Sequence, residues 1–147
     1  LELSIRYISA EETLELRQNV LRVGKPKSSC IWNGDNSKST MHIGAFDGSK
    51  CIGILSLLEA NTDELSETKH YQLRGMAVDI NHRGKGIGKQ LVNFSERELK
   101  TMEIPVLWCN ARISAKEFYS KLGFKVISEE FMIPDVGLHY RMSKSLT

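Results

Sequence analysis

The run Arg83-Gly84-Lys85-Gly86-Ile87-Gly88-Lys89 interleaves three cations with three glycines, a composition suited to a backbone surface that receives an anion. Its flanks say where that surface lies. Leu73, Met76, Ala77 and Val78 make an apolar run of strand length, which Asp79, Asn81 and Gly84 bring to a turn. The apolar period then becomes helical. Ile87, Leu91, Phe94, Leu99 and Met102 share one broad face, with Lys89, Asn93, Glu96, Arg97 and Lys100 mainly on the other. The glycines therefore fall where a helix begins. The first turn of a helix carries N–H groups with no intrahelical partner and the positive end of the macrodipole, so a phosphate or pyrophosphate is the expected ligand. Gly84, Gly86 and Gly88 let backbone approach it, while Arg83, Lys85 and Lys89 add charge.

Spacing separates this turn from two other phosphate motifs. The dinucleotide pattern G-x-G-x-x-G needs glycine where Lys89 stands, and the P-loop needs glycine at Arg83 and Ser or Thr at Gln90. Both failures also count against an ATP-binding domain. His42, His70, His82 and His139 are scattered outside any metal-ligand spacing, so no metal is expected. Cys30, Cys51 and Cys109 are odd in number and lack a C-x-x-C pair, which favours reduced, buried thiols and a cytoplasmic location. A net charge of +2 without aromatic residues interleaved in a basic stripe argues against nucleic acid. The apolar runs are far short of a membrane span, and no targeting segment appears.

The elements that must position the turn follow from periodicity. At 147 residues, with 41% apolar and 26% charged residues, one domain spanning 1–147 is expected. Leu3, Ile5 and Tyr7 alternate with polar neighbours as a half-buried strand. Ser9 and Glu12 make a capping box for a helix whose core stripe is Leu16, Val20 and Val23, ended by Gly24 and Pro26. Residues 24–40 are loop-like yet hold Cys30-Ile31-Trp32. Met41 to Phe46 and Lys50 to Leu58 form an antiparallel hairpin about Asp47-Gly48-Ser49, and 59–70 is a polar, acidic loop. Gly75 marks a bulge or a close approach within strand 71–78. Residues 105–109 make a short buried strand. Ser114 and Glu117 form a second capping box, followed by the stripe Ala115, Phe118, Tyr119 and Leu122, with Gly123 as the stop. Residues 124–133 and 138–143 close the chain as an antiparallel pair.

The pattern R-x-x-G-x-G at Arg83, Gly86 and Gly88 follows a strand ending in Met76-Ala77-Val78. Downstream stand Asn110-Ala111-Arg112, Ala115, Phe118-Tyr119 and Leu122-Gly123-Phe124. In these two signatures, covering residues 70–126, the sequence resembles the GNAT superfamily of acyl-CoA-dependent N-acetyltransferases. The resemblance implies an α/β fold: a single GNAT-like domain with a twisted mixed sheet and helices on both faces. It also implies acetyl-CoA as co-substrate, with Arg83, Gly84, Lys85, Gly86, Ile87, Gly88 and Lys89 at the pyrophosphate. Backbone of Met76, Ala77 and Val78 would lie along the pantetheine. Asn110, at the end of the second strand, would contact the cofactor; an Asn-capped turn is its other reading.

By the same resemblance a neutral amine attacks the thioester directly, N–H groups near Met76 or Ala77 stabilise the oxyanion, and Tyr119 protonates the leaving thiolate. A core aromatic is the other reading of Tyr119. The glutamate that histone-type relatives use as base is replaced here by Gln72, leaving His139, Glu59, Glu130 or water. Arg74 either meets an acceptor carboxylate or pairs with an acidic loop, and the pair is preferred. Trp32 either borders the acceptor pocket or anchors its loop. The acceptor is an unidentified small-molecule or peptide amine, and a homodimer is admitted. A non-catalytic acyl-CoA-binding regulatory or sensory module is the rival reading.

Overall fold

The computed structural model describes all 147 residues as eight strands of one open sheet, three α-helices and short 3-10 and π segments. The chain divides into two compact units, Leu1–Leu58 with Leu73–Glu98, and Glu59–Gln72 with Leu99–Thr147.

In the first unit β1 (Leu3–Ile8) pairs antiparallel with β2 (Met41–Asp47), and β2 with β3 (Lys50–Glu59). β4 (His70–Val78), which belongs to this unit from Leu73 onward, follows β3 in the sheet order. The expected hairpin forms, with Gly48 at φ +59° in its turn. Ile43, Ile52, Ile54, Leu55 and Leu57 are wholly buried; in β3 Ile52 and Ile54 lie on one face and Leu55 and Leu57 on the other, so both faces of this strand are covered.

Gly53 on β3 sets the position of α2 (Ile87–Thr101). A Cβ at residue 53 would stand 3.0 Å from Ile87 Cγ2 and 3.1 Å from Leu91 Cδ1, so a side chain there would push both helix residues back by a few tenths of an ångström. Ile87 and Leu91 are buried as the helical period predicts.

The first helical segment departs from expectation. Its capping box forms, Ser9 N donating to Glu12 Oε1 at 2.9 Å and Glu12 N to Ser9 Oγ at 3.2 Å. Beyond a 3-10 turn at Glu11–Thr13, only Leu14–Leu16 (α1) is α-helical, and Arg17–Leu21 widens to a π turn in which Arg22 N donates to Arg17 O at 2.9 Å. The wider turn ends the segment at Leu21. Val23, expected in the core stripe, lies beyond it and is 72% exposed.

In the second unit β5 (Val106–Arg112) pairs antiparallel with β8 (Gly137–Ser145) from Val106↔Ser145 to Arg112↔His139. The expected strand 105–109 is thus longer, and Asn110 lies within it rather than at its end. Helix α3 (Lys116–Lys121) follows a 3-10 turn, Ile113–Ala115, and ends before Gly123 at φ +96°. Its expected Ser114–Glu117 box does not form: Ser114 is inside the 3-10 turn, Ala115 is the N-cap, and no side chain caps it. The expected strand 124–133 is split into β6 (Lys125–Val126) and β7 (Phe131–Ile133), both antiparallel to β8. Between them Ser128 Oγ accepts the Arg141 N–H at 2.8 Å, replacing a ladder bond by a side-chain one.

Candidate active site

The turn Arg83–Lys89 has the form its sequence predicts. Gly84 and Gly86 stand at φ +79° and +74°, backbone open chiefly to glycine, and a Cβ at either would meet nothing within 4 Å. Helix α2 begins at Ile87, and Gln90 N closes its first turn on Gly86 O at 3.1 Å. The N–H groups of that turn precede the first intrahelical donor. Arg83, Lys85 and Lys89 are exposed and form no ion pair within the chain. Uncovered backbone, a helix start and three free cations fit a pyrophosphate.

His82 fixes the entry to this turn. Its Nδ1 lies 2.7 Å from Asp79 Oδ2 and its Nε2 3.7 Å from Asp47 Oδ2, while Asp79 N donates to Ile52 O at 2.8 Å. The His82 hydrogen bond holds the Asp79 carboxyl below its ordinary range. Residue 82 is thereby tied to the β2–β3 hairpin. The H-R at positions 82 and 83 carried no sequence signal for this.

Gly75 takes φ +64° within β4, and the space a side chain would occupy is filled by Trp32: a Cβ there would lie 2.6 Å from Cζ3. Trp32 in turn covers a buried ion cluster that sequence reasoning missed. Arg17, fully buried, donates from Nη1 to Asp35 Oδ2 at 2.7 Å and to Cys30 O at 2.9 Å, and from Nη2 to Asp35 Oδ1 at 3.1 Å and Ser56 Oγ at 3.0 Å. Its guanidinium lies 3.8 Å from the Trp32 ring centroid. Arg74 donates from Nη2 to the same Asp35 Oδ1 at 3.1 Å and to Asn33 O. His42 spans Ser56 Oγ at 2.6 Å and Asp35 O at 2.9 Å. Burial alone would raise the Asp35 pKa; bonds from Arg17, the Trp32 N–H and Arg74, with the charge of Arg17, hold it below the usual carboxylate range. Arg74 is thus paired, as preferred, but its partner is Asp35 of the 24–40 segment and not a residue of the acidic 59–70 loop. The only sequence clue was Trp32-Asn33-Gly34-Asp35 set in a polar loop.

In the second unit Tyr119 is 6% exposed, its ring edge-on to Phe118 and Phe124 at 5.1 and 5.4 Å. Burial, with Cys109 beside it, raises its phenol far above the ordinary value, so it is protonated throughout the neutral range. Asn110 Oδ1 accepts from Arg141 Nε at 2.8 Å, and its amide nitrogen makes no bond within the chain. Arg141 Nη1 also reaches Thr62 Oγ1 at 2.8 Å and Glu64 at 3.3 Å, tying β8 to the 59–70 loop. Of the base candidates, Glu59 pairs with Lys69 at 3.5 Å and Glu130 accepts from the Tyr140 hydroxyl at 3.4 Å. His139 is buried, with Nδ1 2.7 Å from Gly137 O. In that bond Nδ1 donates to the carbonyl, and Nε2 makes no bond within the chain. No group of three or more His, Cys, Asp or Glu is placed to hold a metal ion, and no helix is long and apolar enough to cross a membrane.

Residues 9–124 match the Acetyltransferase (GNAT) family. The chain belongs to this family. Among similar proteins, the uncharacterized N-acetyltransferase YitI of Bacillus subtilis is 35% identical over 144 residues, covering 98% of this chain and 97% of that one. A solved aminoglycoside 6'-N-acetyltransferase complexed with coenzyme A superposes with TM-score 0.77 at 15% identity, over 98% and 97% of the two chains. The ribosomal-protein-S18-alanine N-acetyltransferase of Escherichia coli does so with TM-score 0.74 at 14% identity, over 99% and 94%. At these identities the superpositions show the fold, a mixed open sheet with helices, the α/β fold of GNAT acetyltransferases. Acetyl-CoA is the co-substrate of such enzymes.

Proposed function

We propose that residues 1–147 act as one catalytic domain that transfers an acetyl group from acetyl-CoA to a primary amine of a small molecule or peptide by direct attack. The observation that carries this reading is the turn Arg83–Lys89: open backbone at two positive-φ glycines, a helix start and three unpaired cations. Arg83, Gly84, Lys85, Gly86, Ile87, Gly88 and Lys89 hold the pyrophosphate. Backbone of Met76, Ala77 and Val78 lies along the pantetheine, and the free amide of Asn110 adds a cofactor contact. Acetyl-CoA, when bound, supplies the activated acyl group.

The residues of the chain then handle charge and protons. N–H groups at Met76 or Ala77 accept the negative charge that develops on the carbonyl oxygen, a contribution worth roughly 3–4 kcal/mol where one such donor is removed from comparable sites. As the C–N bond forms and the C–S bond breaks, the amine loses a proton and the thiolate gains one. Tyr119 gives that proton to sulfur; burial keeps its phenol protonated and also makes it a weaker acid, so its part rests on its position beside the leaving group. Water, relayed to the free Nε2 of His139, takes the amine proton. Three free cysteines support a cytoplasmic setting.

Calorimetric titration with acetyl-CoA, paired with thiol release against a panel of primary amines, tests the proposal. Binding with turnover on at least one amine is expected. Binding without thiol release on any of them would leave an acyl-CoA-binding module and overturn the catalytic reading.

A further inference from the structure

Three guanidinium groups surround one indole ring. The Cζ atoms of Arg17, Arg22 and Arg74 lie 3.8, 5.2 and 5.5 Å from the Trp32 ring centroid, and Asp35 is the only carboxylate paired with any of them. Arg22 forms no ion pair; its Nη1 donates to Leu21 O at 3.1 Å. Arg74 spends only Nη2, on Asp35 and Asn33. Its Nη1 has no partner, and its Nε is buried without one. Cations are thus in excess over anions around a half-buried aromatic ring, where a guanidinium is desolvated and an added anion is attracted more strongly than in water.

The desolvation of Arg74, together with repulsion from Arg17, lowers its pKa from the ordinary value despite Asp35. An arriving oxyanion relieves both effects. The position of this excess charge on the chain matters as much as its size. Arg74 stands two residues before Met76, about 7 Å along a strand, and Met76 belongs to the backbone assigned to the thioester.

We infer that the acetyl acceptor is a primary amine that carries a carboxylate, and that Arg74 and Arg22 bind this carboxylate beside Trp32. The inference deepens the proposed function and rests on it. The amine nitrogen of an α- or short ω-amino acid, held by its carboxylate at Arg74, comes within reach of a carbonyl carbon near Met76. C–N bond formation and C–S cleavage then give an N-acetyl amino acid and the free thiol of CoA. Arg17 is wholly buried, with both Nη atoms bonded to Asp35, Cys30 and Ser56 and its Nε without a partner; it positions Asp35 and the ring and does not meet the acceptor.

Steady-state transfer to matched pairs, glycine against methylamine and β-alanine against ethylamine, tests this with acetyl-CoA as donor. The carboxylated member of at least one pair should have the higher kcat/KM by 10-fold or more, through KM. Arg74→Gln should collapse that ratio toward unity, Arg74→Lys should keep part of it, and Arg22→Gln should lower it with an unchanged melting temperature. The Arg22 variant keeps the test valid if Arg74→Gln fails to fold. Turnover with equal kcat/KM within every pair, or ratios unmoved in the folded Arg22 and Arg74 variants, would overturn the inference alone. No thiol release with any amine would overturn the proposed function and this inference with it.

Discussion

Trp32 occupies the place where a side chain at residue 75 would stand, 2.6 Å from the nearest ring atom to a Cβ built on Gly75. Ring and glycine therefore fix each other. The left-handed backbone at φ +64° is the second constraint on residue 75. Gly75→Ala meets both a strained backbone and a collision with an indole pinned by Arg17 and by its own Nε1 bond to Ser29 O at 3.0 Å. Destabilisation by about 2–4 kcal/mol is expected in urea unfolding, with a changed Trp emission spectrum in the folded state. An unchanged midpoint and spectrum would show that the ring gives way freely.

Asp35 joins Arg17, Arg74 and the Trp32 N–H, and each of these would lose its acceptor together. Asp35→Ala leaves the buried Arg17 charge unpaired and should cost about 3–5 kcal/mol. The pH dependence has a definite sign. Because the Asp35 pKa is depressed in the folded state, its contribution is present above the unfolded carboxylate value near 4 and is lost as pH falls through the lower folded value. Wild-type stability should fall as the pH drops below about 4, and the Asp35→Asn protein, if folded, should show a shallower slope there. Parallel slopes would place the acid sensitivity elsewhere.

The turn Arg83–Lys89 can be tested without confusing ligand contact with backbone strain. Gly84 and Gly86 have positive φ, so any side chain there strains the chain whatever the ligand does. Gly88 lies within α2 and is not among the positive-φ glycines, so Gly88→Val should fold. It should weaken acetyl-CoA binding by at least about 10-fold by holding the backbone off the phosphates. Lys85→Glu should weaken binding further as salt is lowered. Unaltered calorimetric affinity in both folded variants would remove the pyrophosphate from this turn.

How far the sequence predicted these features depends on how local their causes are. The glycine turn at the start of α2 was legible because its glycines, cations and helix period are contiguous, and the β2–β3 hairpin because Asp-Gly sits between two apolar runs. Gly75 announced an irregularity, though not the tryptophan that fills it. The Arg17–Asp35–Arg74 cluster was not legible. Its members are separated by 18 and 39 residues and meet only through tertiary packing, and Arg17, the first residue of the π turn, reads as an ordinary surface residue yet is wholly buried. The same π turn removed Val23 from the core. At Ser114 the S-x-x-E pattern was present, but a 3-10 turn placed the serine one residue before the N-cap of α3, Ala115. The division of residues 124–133 followed from Ser128 taking a backbone donor, a competition no propensity scale registers.

Tyr119 combines a ring that fills the core with a hydroxyl proposed to protonate the leaving thiolate, and Tyr119→Phe separates these. The ring contacts to Phe118 and Phe124 survive the change, so melting temperature and acetyl-CoA affinity should move little. Loss of a positioned acid should lower the single-turnover rate by roughly 10²-fold or more. Two further readouts distinguish chemistry from packing. Because burial holds the phenol far above its ordinary pKa, wild-type turnover should show no alkaline limb from Tyr119 below about pH 10. The defect of Tyr119→Phe should also shrink with a thioester whose leaving thiol is more acidic, since that thiolate departs with less need of a proton. Equal single-turnover rates for the two proteins, under conditions where acyl transfer limits the rate, would leave Tyr119 a core residue and require another source for the proton.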